Sequence, residues 1–265
     1  MYVIGERING MFQDVKKAIR GRDVAVIQEL ARKQLASGAQ ALDINVGPAS
    51  AKAAEAMEWL VEVVQEVTDV TLAIDTAKWD VMQEIVPKVK NPVIINSSKA
   101  DEGTLEKYCK LAADNNASLL ALTIDQQGVP DEADRRIEMG VLILTKAIEA
   151  GLPVERLFID PIILPTNVAN KQPKAVLDAL FQLKLLSDPA PHFVLGLSNV
   201  SQNCSNRQLI NRTYLAMAIA AGLDSAILDP MDTELMNTAI TAELLLDKMI
   251  YCDSYLEAYR SQHAS

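Results

Sequence analysis

Histidine and cysteine are scarce in this chain of 265 residues. His192 and His263 are the only histidines, and Cys109, Cys204 and Cys252 the only cysteines. An odd number of widely spaced thiols makes no disulfide framework. Without a compact Cys/His set, neither a tetrahedral zinc site nor a Ser-His-Asp triad is expected, and no bound metal. His192 precedes an apolar run and His263 lies in the tail, which suits a strand-edge and a tail residue. Positive charge is also short: 25 Lys and Arg against 35 Asp and Glu leave a net charge of −10. No basic stripe is there to offset a nucleic-acid backbone. No apolar run is long enough to cross a bilayer. The start, "MYVIGERING", has neither the basic nor the long apolar region of an export signal. These absences point to a cytoplasmic protein that engages neither nucleic acid nor membrane. No Pro/Gly/Ser-rich linker divides the chain, so residues 1–265 read as one domain.

What the chain does have is repetition. Apolar residues are 49% and charged residues 23%, an ordinary globular balance. Eight short apolar runs alternate with amphipathic segments: "VIGERIN" (3–9), "ALDINVG" (41–47), "TLAIDT" (71–76), "VIINSS" (93–98), "LLALTID" (119–125), "LFIDPII" (157–163), "FVLGLSN" (193–199) and "SAILDPMD" (225–232). Most are rich in Val, Ile and Leu without alternation, as in strands buried on both faces of a parallel sheet. Helix signals fill the gaps. "RDVAVIQELARKQLASGA" offers Asp23 as N-cap and Gly38 beyond its end. "AAEAMEWLVEVVQEV" sets Met57, Leu60, Val61 and Val64 on one stripe. "DEADRRIEMGVLILTKAIEAG" opens with acids, stops near Gly151, and "RQLINRTYLAMAIAAG" reads as a further helix. Eight such units predict an α/β fold, a single (β/α)8 TIM barrel. An open doubly wound sheet would more often carry a Gly-rich phosphate loop after its first strand, and none is present.

In such a barrel, function sits at the carboxyl ends of the strands. Those ends carry Glu6, Arg7 and Asn9; Asp43 and Asn45; Asp75; Asn96 and Ser97; Thr123 and Asp125; Asp160; Ser198 and Asn199; and Asp229. Any one of them serves equally as a cap or turn former. Together they favour a small, neutral-to-cationic ligand with many hydrogen bonds. A carboxylate such as Asp75 or Asp160 can accept two parallel N–H bonds, and an amide such as Asn96 can read an N–C=O edge. A 2-amino-4-oxo-pyrimidine, the edge of a pterin or guanine, presents both.

Six stretches in order, "GERIN", "LDINVG", "IDT", "INSS", "IDPIILP" and "GLSNVSQNCSNR", resemble the pterin-binding barrel family. Within it, the chain looks most like the methyltetrahydrofolate:corrinoid/iron-sulfur protein methyltransferases of acetogenic (Wood–Ljungdahl) carbon fixation, from Tyr2 to about Tyr255. The resemblance implies that Asp75, Asn96 and Asp160 bind the pterin edge and that Asn199 bonds near the methyl-bearing N5. It implies that Gln202 and Arg207 form an adjoining wall, and that Gly196 and Ser198 line the floor. Asp43 and Asn45 become supporting partners or plain caps. A bare Gly196 also lets a flat ring approach the backbone. The substrate implied is methyltetrahydrofolate, with the corrinoid carried by a partner corrinoid iron-sulfur protein and a homodimeric enzyme.

Such an acceptor brings its own nucleophile, so the protein need only position the N-methyl group and stabilise the protonated amine. Asn199 does not ionise but can bond to a protonated N5 through its oxygen. Arg207 opens a predicted helix, where the dipole disfavours a cation by about 0.3–1 kcal/mol; it is either a solvated residue or a brace for the ligand. The rivals fit less well. A dihydropteroate synthase would carry a Ser-Thr-Arg-Pro-like loop where "NVGPASAK" stands, a Ser/Asp/Gly-rich loop in place of "INGMFQDV", and basic residues near "LDPMD". A methionine synthase would need zinc and cobalamin modules, and a Schiff-base aldolase a lysine on one of the eight runs. The pterin-side methyltransferase of a corrinoid demethylase system and a non-catalytic pterin-binding barrel remain as alternatives.

Overall fold

The computed structural model describes residues 1–248. Cys252, His263 and the later part of "AELLLDKMIYCDSYLEAY", where a closing helix and a dimer contact were expected, lie outside the described residues. Strands β1 (Tyr2–Asn9), β2 (Ala41–Asn45), β3 (Thr71–Asp75), β4 (Val93–Lys99), β5 (Ser118–Leu122), β6 (Leu157–Asp160), β7 (His192–Gly196) and β8 (Ser225–Leu228) close into a barrel in chain order. Every neighbouring pair is parallel, and β8 seals against β1. The chain is a single (β/α)8 TIM barrel.

Alternation along each strand divides the apolar residues between two cores. Ile4, Ala41, Ala73, Ile94, Leu120, Phe158 and Val194 point inward and plug the barrel. Their outward neighbours, such as Leu42, Leu72, Ile95, Leu119, Ile159 and Leu195, pack under the helices. Burial on both faces is why the strands read as continuous apolar runs. At the amino end, His192 stacks on Phe158 at 4.8 Å and bonds Asp224 at 3.1 Å, closing the bottom of the plug.

The helices are α1 (Gln13–Gly21), α2 (Val24–Ala36), α3 (Ala53–Gln65), α4 (Trp79–Ile85), α5 (Glu102–Asp114), α6 (Ala133–Glu149), α7 (Gln172–Leu183), α8 (Arg207–Ala221) and α9 (Thr233–Leu245). Asp23 caps α2 by accepting from the Val26 amide, and the chain turns out of that helix through Gly38 at φ +98°. The expected stripe of α3 is buried. The sequence predicts a loop at "INGMFQDV", yet α1 begins there, so two helices follow β1.

Four strands also stop short of their apolar runs, β5 at Leu122, β6 at Asp160, β7 at Gly196 and β8 at Leu228. Side chains take over the ladder's donors there: Asp160 accepts from the Ile162 amide at 2.7 Å and Asp229 from Met231 at 3.0 Å. Such local bonds compete with strand pairing and turn the chain toward the helix. The overhanging residues form the barrel mouth.

Candidate active site

Two residues above the plug, the same alternation brings polar groups into the barrel. Ile4 leads to Glu6, Ala41 to Asp43, Ala73 to Asp75, Ile94 to Asn96, Phe158 to Asp160, Val194 to Gly196 and Ile227 to Asp229. A hydrocarbon floor is therefore topped by one layer rich in carboxylates. Asp43, Asn96 and Asp160 are buried, and Glu6 and Asp75 nearly so.

On the β2–β4 side these groups pair with one another. Asn96 Nδ2 donates to Asp43 Oδ1 at 2.9 Å. Asn45 Nδ2 donates to Asp75, while its Oδ1 accepts from the Gly47 amide at 2.6 Å, so Asn45 acts as both supporting partner and turn former. Each amide fixes the orientation of an acid, and Asn96 Oδ1 makes no hydrogen bond among the described residues. Across the mouth, Asp160 accepts from Ile162 and, at 3.4 Å, from the Gly196 amide of β7. A fully buried Arg136 clamps the β6–α7 segment to its own helix, donating to the Pro161 carbonyl at 2.7 Å and to Gln172, and to the carbonyl of Glu132, the N-cap residue of α6, at 3.2 Å.

The other side is open. A cleft of about 1090 Å³ runs along the ends of β1, β7 and β8, lined by Glu6, Ser198, Asn199, Gln202, Arg207 and Asp229 among others. Asp75, Asn96 and Asp160 lie outside that lining. Asn199 and Gln202 are exposed, and their side chains make no hydrogen bond among the described residues. A methyl group added at Gly196 would sit 3.1 Å from Asn199 Nδ2, so the amide would have to move. Ser198 is engaged: its hydroxyl donates to Glu6 Oε1 at 2.7 Å, with its carbonyl accepting from Arg207 at 3.3 Å. Arg207, the first residue of α8, also donates from Nε to Ser201 Oγ at 3.2 Å, which ties the helix to the strand-seven loop.

Several strand-end residues do not join the layer. Arg7 pairs with Asp14 at 2.8 Å and lies over the Phe12 ring. Asn9 accepts from the Met11 amide. Asp125 holds Arg135 at 2.9 Å at the rim. Thr123 is buried beside the mouth, its hydroxyl without a partner among the described residues.

The electrostatics follow first from burial, which outweighs Arg207 and Arg7 at Glu6 and Arg136 at Asp160. Desolvation disfavours the charged form and pushes Glu6 and Asp160 up to about 7 and Asp75 up to about 6. Asp43 is held well above the usual carboxylate range, by burial first and by neighbouring Asp75 second. Among the described residues none of these four carboxylates forms an ion pair. Buried carboxylates held in raised titration ranges beside an open cleft mark a candidate functional site. Its donors and acceptors suit a flat, N–H-rich heterocycle.

The fold and this layer define a (β/α)8 barrel with a polar mouth. The family model for pterin binding enzymes matches residues 8–229, and the chain belongs to that family. The methylcorrinoid:tetrahydrofolate methyltransferase of Eubacterium limosum is 29% identical over 98% of this chain and 96% of that one. The methionine synthase of Mycobacterium leprae is 27% identical over 85% of this chain, a match to 20% of that protein. The dihydropteroate synthase of Xanthomonas albilineans, in complex with 7,8-dihydropteroate, has a TM-score of 0.66 over 95% of this chain and 93% of that chain, at 17% identity. That likeness is one of fold.

Two features escaped the reading of the sequence. Glu6 was seen at its strand end but given no role, though its place two residues after inward-facing Ile4 was available as a signal. Arg136 gave none, because "DEADRRIEMG" looks like a solvated helix start.

Proposed function

We propose that this chain is a single-domain methyltransferase that moves a methyl group between N5 of tetrahydrofolate and a corrinoid held by a separate protein. The observation that carries the proposal is the polar layer itself: Asp75, Asn96 and Asp160 converge above an apolar floor, beside a cleft that exposes Asn199. In this reading Asp75 and Asp160 take the N–H groups of the pterin edge, Asn96 reads its amide face, and Gly196 gives the ring room. Asn199 bonds to N5 as charge develops there, with Gln202 and Arg207 beside it. Preorganised dipoles of this kind act where charge appears and need no reorganisation during reaction. The corrinoid supplies the nucleophile when the partner docks, so the cleft needs no nucleophile of its own. The name of the Eubacterium limosum relative supports folate–corrinoid chemistry.

For the partner we favour a corrinoid iron-sulfur protein receiving the methyl group from methyltetrahydrofolate, in a homodimeric cytoplasmic enzyme. Among the described residues no helix is long and apolar enough to cross a membrane. A second reading has a specific observation behind it. The Eubacterium limosum relative is named for the opposite direction, from methylcorrinoid to tetrahydrofolate, and matches nearly end to end. In that reading the carrier is the corrinoid subunit of a demethylase system.

Rapid mixing of the protein with methyltetrahydrofolate and a cob(I) corrinoid tests the proposal. Transfer is expected to run faster than in the protein-free mixture. Folate binding without acceleration would make this a non-catalytic pterin-binding barrel. Running the same experiment with each candidate carrier, methylated and unmethylated, separates the two partner readings.

A further inference from the structure

We propose that Glu6 is the acid–base group that exchanges a proton with the N5 amine during methyl transfer, an inference that rests on the methyltransferase reading above. The reaction requires one such proton. When methyl leaves folate, the C–N bond breaks, the electron pair stays on nitrogen, and the partner's corrinoid supplies both electrons of the new bond to carbon. Nitrogen ends as a neutral N–H amine, so one proton must arrive before or as the methyl departs. In reverse, N5 attacks the methyl group and the same proton leaves.

Asn199 and Gln202 do not ionise and cannot supply it. Most of the cleft's titratable side chains are engaged elsewhere. Arg7 is paired with Asp14, and Arg207 is held by Ser201 and the Ser198 carbonyl. Asp229 is tied to the Met231 amide, Asp232 caps α9 through the Leu235 amide, and Glu234 pairs with Arg212. Glu6 remains. It enters the cleft from β1, inward above Ile4, and its Oε1 lies 2.7 Å from the hydroxyl of Ser198, the residue before Asn199.

The surroundings keep both forms of Glu6 accessible near neutrality. Burial, and then Asp229 at the end of β8, disfavour the anion; the Ser198 hydroxyl, Arg207 of α8 and Arg7 of its own strand favour it, and the balance falls at about 7. Asp43 of β2 faces it from the far side and feels its charge. A general acid or base works best when it titrates near the working pH.

The test is single-turnover transfer in both directions between about pH 5 and 9, with the folate dissociation constant measured in parallel. In the wild type, transfer out of folate should slow as pH rises through about 7, and transfer into folate should quicken. Glu6→Gln, neutral and of equal size, should lose that break and roughly 100-fold in rate, as removal of a general acid does, with folate affinity little changed. Glu6→Asp should keep the break at a lower rate. Ser198→Ala should move the break to higher pH, because the bond that favours the carboxylate is gone. That shift also decides the matter if Glu6→Gln does not fold. Glu6→Gln with the wild-type rate and break would overturn the proposal. So would a fall in rate matched by an equal fall in folate affinity, which would make Glu6 a binding group. A wild-type protein that moves no methyl group would instead overturn the methyltransferase reading.

Discussion

On the β2–β4 side of the mouth, Asn96 donates to Asp43 and Asn45 to Asp75, so amides and acids hold one another in place. On the β1–β7–β8 side, Asn199 and Gln202 stand exposed around a cleft, without side-chain partners among the described residues. The residue types are the same, but their commitments differ. A recognition surface for a rigid heterocycle gains from side chains whose orientation is already paid for. A surface that must follow a changing charge on N5 and admit a second protein leaves its amides unengaged. The closed side should therefore govern affinity and the open side rate.

Asn199→Ala should give the largest effect. Loss of one preorganised donor or acceptor costs roughly 10²–10³ in rate. Single-turnover transfer should fall by that order with the fold intact, as judged by circular dichroism; near-wild-type turnover would dissolve the distinction between the sides. Asp75→Ala and Asp160→Ala should act on binding. Hydrogen bonds to charged groups contribute about 1.5–3 kcal/mol, so the folate dissociation constant should rise roughly tenfold or more in a fluorescence titration.

The raised carboxylates also predict a pH dependence of stability. Asp75 titrates at about 6 in the folded protein against 3.8 ordinarily. The stability associated with its neutral form is thus full below the lower value and lost as pH rises through the higher one. In the ligand-free protein, Asp75→Asn should raise Tm at pH 8, by about 2–4 °C for each kcal/mol recovered. The gap should narrow as the pH falls through about 6. A constant gap would mean that burial is not what displaces this group.

Gly196→Ala, which crowds the Asn199 amide, should slow transfer by roughly tenfold, less than losing the amide. The smallest effect belongs outside the mouth. Asp23→Ala removes the cap of α2 and should cost about 1 kcal/mol of stability while leaving folate affinity and transfer rate unchanged.

How much of this was legible follows from how local each feature is. Strands buried on both faces announce themselves as Val/Ile/Leu runs, so the barrel could be read directly. The polar residues that close those runs could be read as well, because Asp75, Asn96 and Asp160 interrupt an apolar pattern. Their pairing could not. Which amide meets which acid depends on how the sheet closes, and the Glu6–Ser198 bond joins residues 192 apart in the chain. Arg136 was invisible for a related reason. Beside it Arg135 reaches Asp125 and Glu138 at the surface, and only tertiary packing separates the exposed arginine from the buried one.

Calorimetric titration of the folded protein with methyltetrahydrofolate is the most direct test, run on the wild type and on a variant carrying Asp75→Asn and Asp160→Asn together. The layered mouth predicts saturable heat in the wild type and a large loss of affinity in the double variant, with its helical signal unaltered. Equal affinity in the two proteins, or no heat from the wild type, would contradict it.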